Sequence, residues 1–208
     1  ENEIELRDLD NKPAEMLFSI PAVGLKEVRD EIVATIPDRC ERAAEIALSR
    51  DGLSTIWCNR NDEGDLLEKL IPGSVQVSGK DSDDAKEEKL AAFSRGEIDK
   101  LIIKPKIGAF GLNWQHCGHM VFFPTYSYEQ YYQAVRRHWR FGQKNKVQAD
   151  IIYTEGTAFM MDGLRRKKEQ AAEMFTRLIE FMNNAQSISI DRAYNTKPDM
   201  PEWIRGNK

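Results

Sequence analysis

The chain contains no run of about 18 uncharged apolar residues, so none of its 208 residues suits a bilayer span. Cysteine is scarce: Cys40, Cys58 and Cys117 are odd in number and widely spaced. That spacing argues against a disulfide framework and for a reducing cytosol. Strong charge of either sign is absent too, with 30 Lys and Arg against 34 Asp and Glu and a formal charge of −4. A general polyanion binder of the histone type is excluded by this balance. Nucleic-acid contact is not, because it needs only a local basic patch. The first five residues, Glu1 to Glu5, lack a basic stretch ahead of an apolar one, so we expect no signal peptide. They also lack an initiator Met, and we expect a fragment of a longer protein. What is present is 41% hydrophobic and 31% charged residues, the balance of a folded chain. A chain of this length buries roughly 70% of its unfolded surface and needs no disulfide or metal to hold it.

The opening to about residue 23 reads as polar and irregular, broken by Pro13 and Pro21. Helical stretches follow over residues 25–36 and 38–49. Short apolar runs then alternate with helical periodicity: strands at 54–58, 74–77, 100–103, 120–123 and 147–153, helices at 63–70, 82–93 and 126–140. A long amphipathic helix is expected from about Thr157 to Met182, with Met161, Leu164, Met174 and Leu178 turned inward and Arg165 to Lys168 wet. Strands separated by helices of this size predict a mainly parallel sheet covered on both faces, an α/β fold of three layers. The tail from Asn183 is polar.

The most informative stretch runs from Gln133 to Gln143. At 100° per residue Gln133, Arg137 and Arg140 share one side of a helix, while Tyr128, Tyr131, Tyr132, Val135 and Trp139 cluster opposite. Glu129 is the only carboxylate near the basic side. A solvated basic face is one reading, although lysines would serve it equally well. Rigid planar guanidinium forks grouped beside a Gln suit a bound phosphate. Gly142 is placed to end the helix.

These residues match the Q-x-x-x-R-x-x-R-x-G-Q form of the last conserved motif in superfamily 2 helicases. The chain resembles most the Swi/Snf-type DNA translocases and their phage and prophage relatives. The resemblance implies a RecA-like lobe in which Arg140 is the arginine finger, Arg137 a second phosphate contact and Gln133 a nucleotide contact. A second match, Lys104-Pro105-Lys106-Ile107-Gly108-Ala109-Phe110-Gly111-Leu112-Asn113, is similar to the family's glycine-bearing motif after a strand. By resemblance Lys104, Lys106 and Gly108 touch nucleic-acid phosphates, and Gly111 and Asn113 lie by the nucleotide. Lys104-Pro105 stands in place of the usual Ser/Thr, and Ala109 in place of a glycine. Asn59 and Arg60, ending Thr55-Ile56-Trp57-Cys58, resemble the family's strand end that faces the nucleic acid. Ser78-Gly79-Lys80 stands where relatives have a turn.

Two patterns are set aside. The stretch Gly73 to Asp81 is one residue too long for a phosphate-binding loop, and Asp81 replaces its hydroxyl. His116-Cys117-Gly118-His119 packs three soft side chains into four residues without a second cluster, so no metal site is expected.

No valid phosphate-binding loop and no magnesium-binding acidic strand end is present, and a complete enzyme needs both. The resemblance therefore implies the second motor lobe of an ATP-dependent DNA helicase or translocase. ATP and Mg²⁺ would be held by an absent N-terminal lobe, and this lobe alone would be inactive as an ATPase. DNA would be bound through its backbone without sequence preference, in a bacterial or phage-encoded cytoplasmic protein with no membrane partner. Residues 1–50 would be a linker and helical extension, 51–185 the helicase C-terminal domain and 186–208 a polar tail. The alternatives are a non-catalytic α/β nucleic-acid-binding or interaction module, and a phosphoryl-binding enzyme with an unrelated basic helix.

Overall fold

The computed structural model describes residues 2–6, 24–107 and 112–195. Its elements in chain order are β1 (Asn2–Leu6), α1 (Leu25–Ala34), α2 (Ile36–Leu48), β2 (Ser54–Trp57), α3 (Asn61–Leu70), β3 (Val75–Val77), α4 (Asp83–Ser94), β4 (Lys100–Ile103), β5 (His119–Phe122), α5 (Tyr128–His138), β6 (Gln148–Thr154) and α6 (Ala158–Asn195). The six strands form one sheet in the order β1-β6-β5-β2-β4-β3, and every pairing is parallel.

Two apolar layers explain why the strands are near-continuous hydrophobic runs. Successive residues point to opposite faces, and both faces are covered. Trp57, Leu101, Ile103, Met120, Phe122 and Ile151 enter one core, against Leu90 and Phe93 of α4 and Tyr131 and Ala134 of α5. Ile56, Ile102, Val121 and Ile152 enter the other, against Cys40, Ala43 and Ala47 of α2 and Leu67 of α3. The small residues of α2 let that helix lie close on the sheet. A side chain buried in this way contributes about 1.5–3 kcal/mol. The expected three-layer α/β lobe is what forms.

Two expectations are corrected. The opening is not irregular throughout, because Asn2–Leu6 add an edge strand to β6, with Ile4 opposite Ile152. A lone five-residue segment mixing Glu with Ile and Leu gives no periodicity strong enough to reveal it. Two compact units divide the chain, Glu1–Leu164 and Arg165–Lys208. Met161 and Leu164 are buried as expected in the first, but Met174 and Leu178 in the second are exposed. Periodicity identifies the apolar side of a helix without saying what covers it. Among the described residues no helix is long and apolar enough to cross a membrane.

Candidate functional site

Because every strand is parallel, the loops that follow them gather at one carboxyl edge, where open α/β sheets bind ligands. Asn59 and Arg60 follow β2, Ser78 to Lys80 follow β3, and Lys104 to Lys106 follow β4. Lys106 is exposed, and Lys104 donates through Nζ to Asn61 Oδ1. Asn59 turns inward and donates its amide to the carbonyls of Phe123 at 3.1 Å and Pro124 at 3.4 Å. Arg60 is held as a fork on Asp62, with Nη2 to Oδ2 at 2.8 Å, which keeps the Asp62 carboxyl below its usual range. Lys80 is exposed and lies 3.8 Å from Asp65. Behind the edge a cavity of about 240 Å³ is lined by Val28, Ile32, Asn59, Arg60, Pro124 and Tyr126 among others. Beneath it Arg39 and Glu63 form a buried ion pair at 2.8 Å. Glu63 Oε2 also accepts the backbone N–H groups of Asn59 and Arg60, so it fixes the strand end that presents them.

The arginines lie at the far end of α5, which returns from the carboxyl edge toward the start of β5. The helix stops at His138, two residues short of Arg140, so the expected helix over 126–140 is corrected. Trp139 is already extended, at φ −103° and ψ 93°. Gly142 does not cap the helix. With φ +86° it serves a separate tight turn, closed by Gln143 N–H on the Arg140 carbonyl at 3.0 Å.

That turn is locked to the stretch Asn113-Trp114-Gln115. Gln143 Nε2 donates to the carbonyls of Gln115 at 2.9 Å and His138 at 2.8 Å. Gln115 Nε2 donates to the Phe141 carbonyl at 2.9 Å, and Trp114 N–H to the Arg137 carbonyl at 2.9 Å. The structure therefore brings Asn113, Arg137 and Arg140 to one place. Gly108 and Gly111 lie outside the described residues. Gln133 and Arg140 are exposed.

Arg137 is not at an open surface, which corrects the two-sided view of this helix. It is only 5% exposed and lies over the Trp114 ring, 5.7 Å from its centroid. Tyr131 and Ala134 share its buried side, whereas Tyr132 and Trp139 are exposed. Burial, and then the neighbouring positive charge of Arg140, depress the Arg137 pKa. Two guanidiniums that repel each other there are relieved by an anion.

His138, unassigned in the sequence, anchors this end. It is fully buried, and burial pushes its imidazole down to about 4. The neutral ring must donate from Nδ1 to the Cys117 carbonyl at 3.0 Å, leaving Nε2 to accept the Thr55 hydroxyl at 3.0 Å. Trp57 Nε1 donates to the same hydroxyl at 2.9 Å. The chain of bonds runs from the middle of the sheet to the residue that follows Arg137.

One further constellation imitates a catalytic triad. Ser54 Oγ meets His119 Nδ1 at 2.9 Å, and His119 Nε2 meets Asp150 Oδ2 at 2.8 Å. All three are buried at the amino edge of the sheet, with Lys100 Nζ donating to Ser54 Oγ and to the carbonyls of Arg50 and Gly52. A nucleophile sealed from solvent has nothing to attack, so this network ties strand starts together. Among the described residues no three His, Cys, Asp or Glu side chains are grouped to hold a metal ion.

Similar solved structures share the fold. The C-terminal part of the Fun30 ATPase domain superposes with a TM-score of 0.53 at 15% identity, covering 68% of this chain and 48% of that one. A Dbp5 variant from S. cerevisiae, bound to Gle1, gives 0.56 at 15% identity over 64% of this chain and 36% of that one. T4 UvsW gives 0.52 at 14% identity, covering 62% and 28%. The chain thus spans about half, or less, of the length of these neighbours. No curated protein matches it. The helicase conserved C-terminal domain matches residues 38–142, from within α2 through β2 to β5 and on to the glycine of the arginine turn. Those limits take in the carboxyl-edge loops and the locked arginines together, and the chain belongs to the helicase C-terminal domain family.

Proposed function

We propose that this lobe is the second half of a two-lobed ATP-driven DNA translocase of Swi/Snf type, with phage or prophage relatives and a cytoplasmic setting. The observation that carries the reading is the arginine turn. Arg140 is exposed, makes no ion pair among the described residues, and sits on a backbone locked at three points to Trp114 and Gln115. An uncompensated guanidinium carried on a fixed backbone is what a transferring phosphoryl group requires. In this reading Arg140 is the finger and Arg137, from its sheltered position, the second phosphate contact. Gln133, Gly111 and Asn113 border the nucleotide. ATP and Mg²⁺ are held mainly by an N-terminal lobe of the parent chain, joined through residues 1–50. The pure 208-residue chain should show no Mg²⁺-dependent ATPase above a contaminant control, and measurable turnover would overturn the two-lobe reading.

DNA backbone is gripped at the carboxyl edge by Lys104, Lys106 and Gly108, with Asn59 and Arg60 alongside. The internal partners of Asn59 and Arg60 leave Lys106 as the most available cation of the set. With about two or three phosphates neutralised, binding should weaken with salt at a log–log slope near −2 for duplex DNA. No base-reading element is visible among the described residues, so sequence preference should be absent. Titrating the chain against duplex and single strands over a salt series checks this. Lys106→Ala should flatten the slope and Lys80→Ala leave it unchanged. Tight, salt-independent or strongly sequence-selective binding would show that this edge reads something other than phosphate.

A further inference from the structure

The phosphate contacts use the outer side of the carboxyl edge and leave the cavity behind it without a role. Its volume of about 240 Å³ decides what it can hold. An apolar cavity of about 150 Å³ takes a benzene ring, while drug-sized ligands need roughly 300–1,000 Å³. One ring system fits, and a whole nucleotide does not. Val28, Ile32, Pro124, Ile152 and Met160 give it apolar walls. Tyr126 lines it too while remaining 51% exposed, tilted against the Phe159 ring at 6.1 Å, so it stands at the mouth as a stacking face. Two polar groups of the lining have capacity left. Arg29 is exposed and makes no hydrogen bond or ion pair among the described residues. The Asn59 amide nitrogen is taken by the Phe123 and Pro124 carbonyls, but its Oδ1 accepts nothing among the described residues. The Glu63 carboxylate at the floor does not repel an anion, because Arg39 pairs with it at 2.8 Å.

These features define the occupant: a flat ring with an N–H to offer and a negative charge close beside it. A nucleobase within a strand is such a group. Every base has a π-face and at least one N–H, and phosphates flank it on both sides. Position agrees, since Asn59 and Arg60 end β2, Pro124 to Tyr126 follow β5, and Lys104 and Lys106 follow β4 on the same edge. The base of a nucleotide at the arginine turn is out of reach. That turn lies at the other end of the eleven-residue α5, about 16 Å away, and α5 packs on the opposite face of the sheet from Ile152. A partner's aromatic side chain would fill the walls equally well, but it brings no charge of its own to meet Arg29. Resting on the DNA reading above, we propose that this cavity receives one unpaired base of the DNA held at the carboxyl edge. Tyr126 covers the face of the base, Asn59 Oδ1 accepts from its N–H edge, and Arg29 meets the adjoining phosphate. A paired base must leave its stack before it can enter, so the lobe distinguishes unpaired from paired strands without reading sequence.

The test titrates the 208-residue chain with a perfect DNA duplex, the same duplex carrying a single bulged 2-aminopurine, and the same bulge made abasic. The bulged duplex should bind roughly tenfold tighter than the perfect one, and the abasic bulge no tighter than the perfect one. The fluorescence of the 2-aminopurine should report the same affinity. The log–log salt slope should be steeper by about 1 for the bulged duplex, and Arg29→Ala should remove that increment. Ile32→Trp, which fills the cavity, should abolish the preference for the bulge and keep the Lys106-dependent slope on perfect duplex. Tyr126→Ala, at the surface, should lower the preference several-fold in a protein of unaltered melting temperature. Equal binding of bulged and perfect duplexes, or a preference that survives Ile32→Trp, would overturn the base pocket and leave the phosphate grip intact. Saturable binding of N-acetyltryptophanamide without a preference for the bulge would give the cavity to a protein side chain and overturn it as well. Failure to bind any of the three DNAs in a salt-dependent way would instead remove the reading on which the pocket rests.

Discussion

Replacing Arg140 by Ala in the parent chain should lower ATP turnover by about three orders of magnitude or more, while ATP binding weakens far less. The asymmetry follows from where the charge is needed. A guanidinium aimed at the transferring phosphoryl gains most of its interaction as negative charge redistributes in the transition state. Arg140→Lys should recover little, since a point charge on a flexible stem cannot reproduce the planar fork. Gln143→Ala leaves Arg140 in place but removes the bonds to the Gln115 and His138 carbonyls, so it should fall between wild type and Arg140→Ala. The measurement is steady-state ATPase with DNA saturating, beside equilibrium binding of an ATP analogue. An Arg140→Ala enzyme within a fewfold of wild type would remove the arginine from the chemistry.

Acid should destabilise the fold well before most carboxylates titrate. His138 is held neutral with its folded pKa at about 4, against an ordinary 6.5. Between those values the unfolded chain binds a proton that the folded chain refuses. Stability is therefore complete above pH 6.5 and is lost as pH falls toward 4. The full difference is about 3 kcal/mol, with about 2 kcal/mol already lost by pH 5. His119, also depressed by burial, adds in the same direction, although Asp150 beside it opposes the shift. Denaturant unfolding at pH 7, 6 and 5 measures the slope. In His138→Gln this share should vanish, leaving a less stable but flatter profile. An unchanged slope in that variant would mean His138 takes up its proton without opening the Thr55 and Cys117 bonds.

The sheet was legible in the sequence because burial on both faces forces uninterrupted apolar runs. Leu101-Ile102-Ile103 and Met120-Val121-Phe122 could hardly be anything else between helical segments. The motif residues were legible for a different reason: guanidinium spacing and a glycine carry chemistry that local structure alone does not demand. What the sequence hid is non-local. A helical wheel separates two sides of α5 but cannot say which is covered. Arg137 shares a side of the wheel with the exposed Gln133 and Arg140 yet is buried over Trp114, and Tyr132 on the aromatic side is exposed. His138 gave no signal, since its partners Thr55 and Cys117 are 83 and 21 residues away. The end of α5 was missed because Trp139 leaves the helix for tertiary reasons. The Gln143 side chain, from a later turn, takes the last carbonyl.

The edge strand β1 has a consequence for how the chain comes to be folded. Its register sets Asn2 opposite Asp150 and Leu6 opposite Thr154, so β1 can pair only with a strand made long after it. Contacts this distant in sequence slow folding, because the loop between them loses its freedom before the ladder forms. Until β1 docks, β6 has one flank open, and its Ile151-Ile152-Tyr153 run is the kind of edge that recruits a foreign strand. A version of the chain begun after residue 6 would keep that edge permanently unpaired. It should aggregate on refolding at concentrations where the full chain stays dispersed.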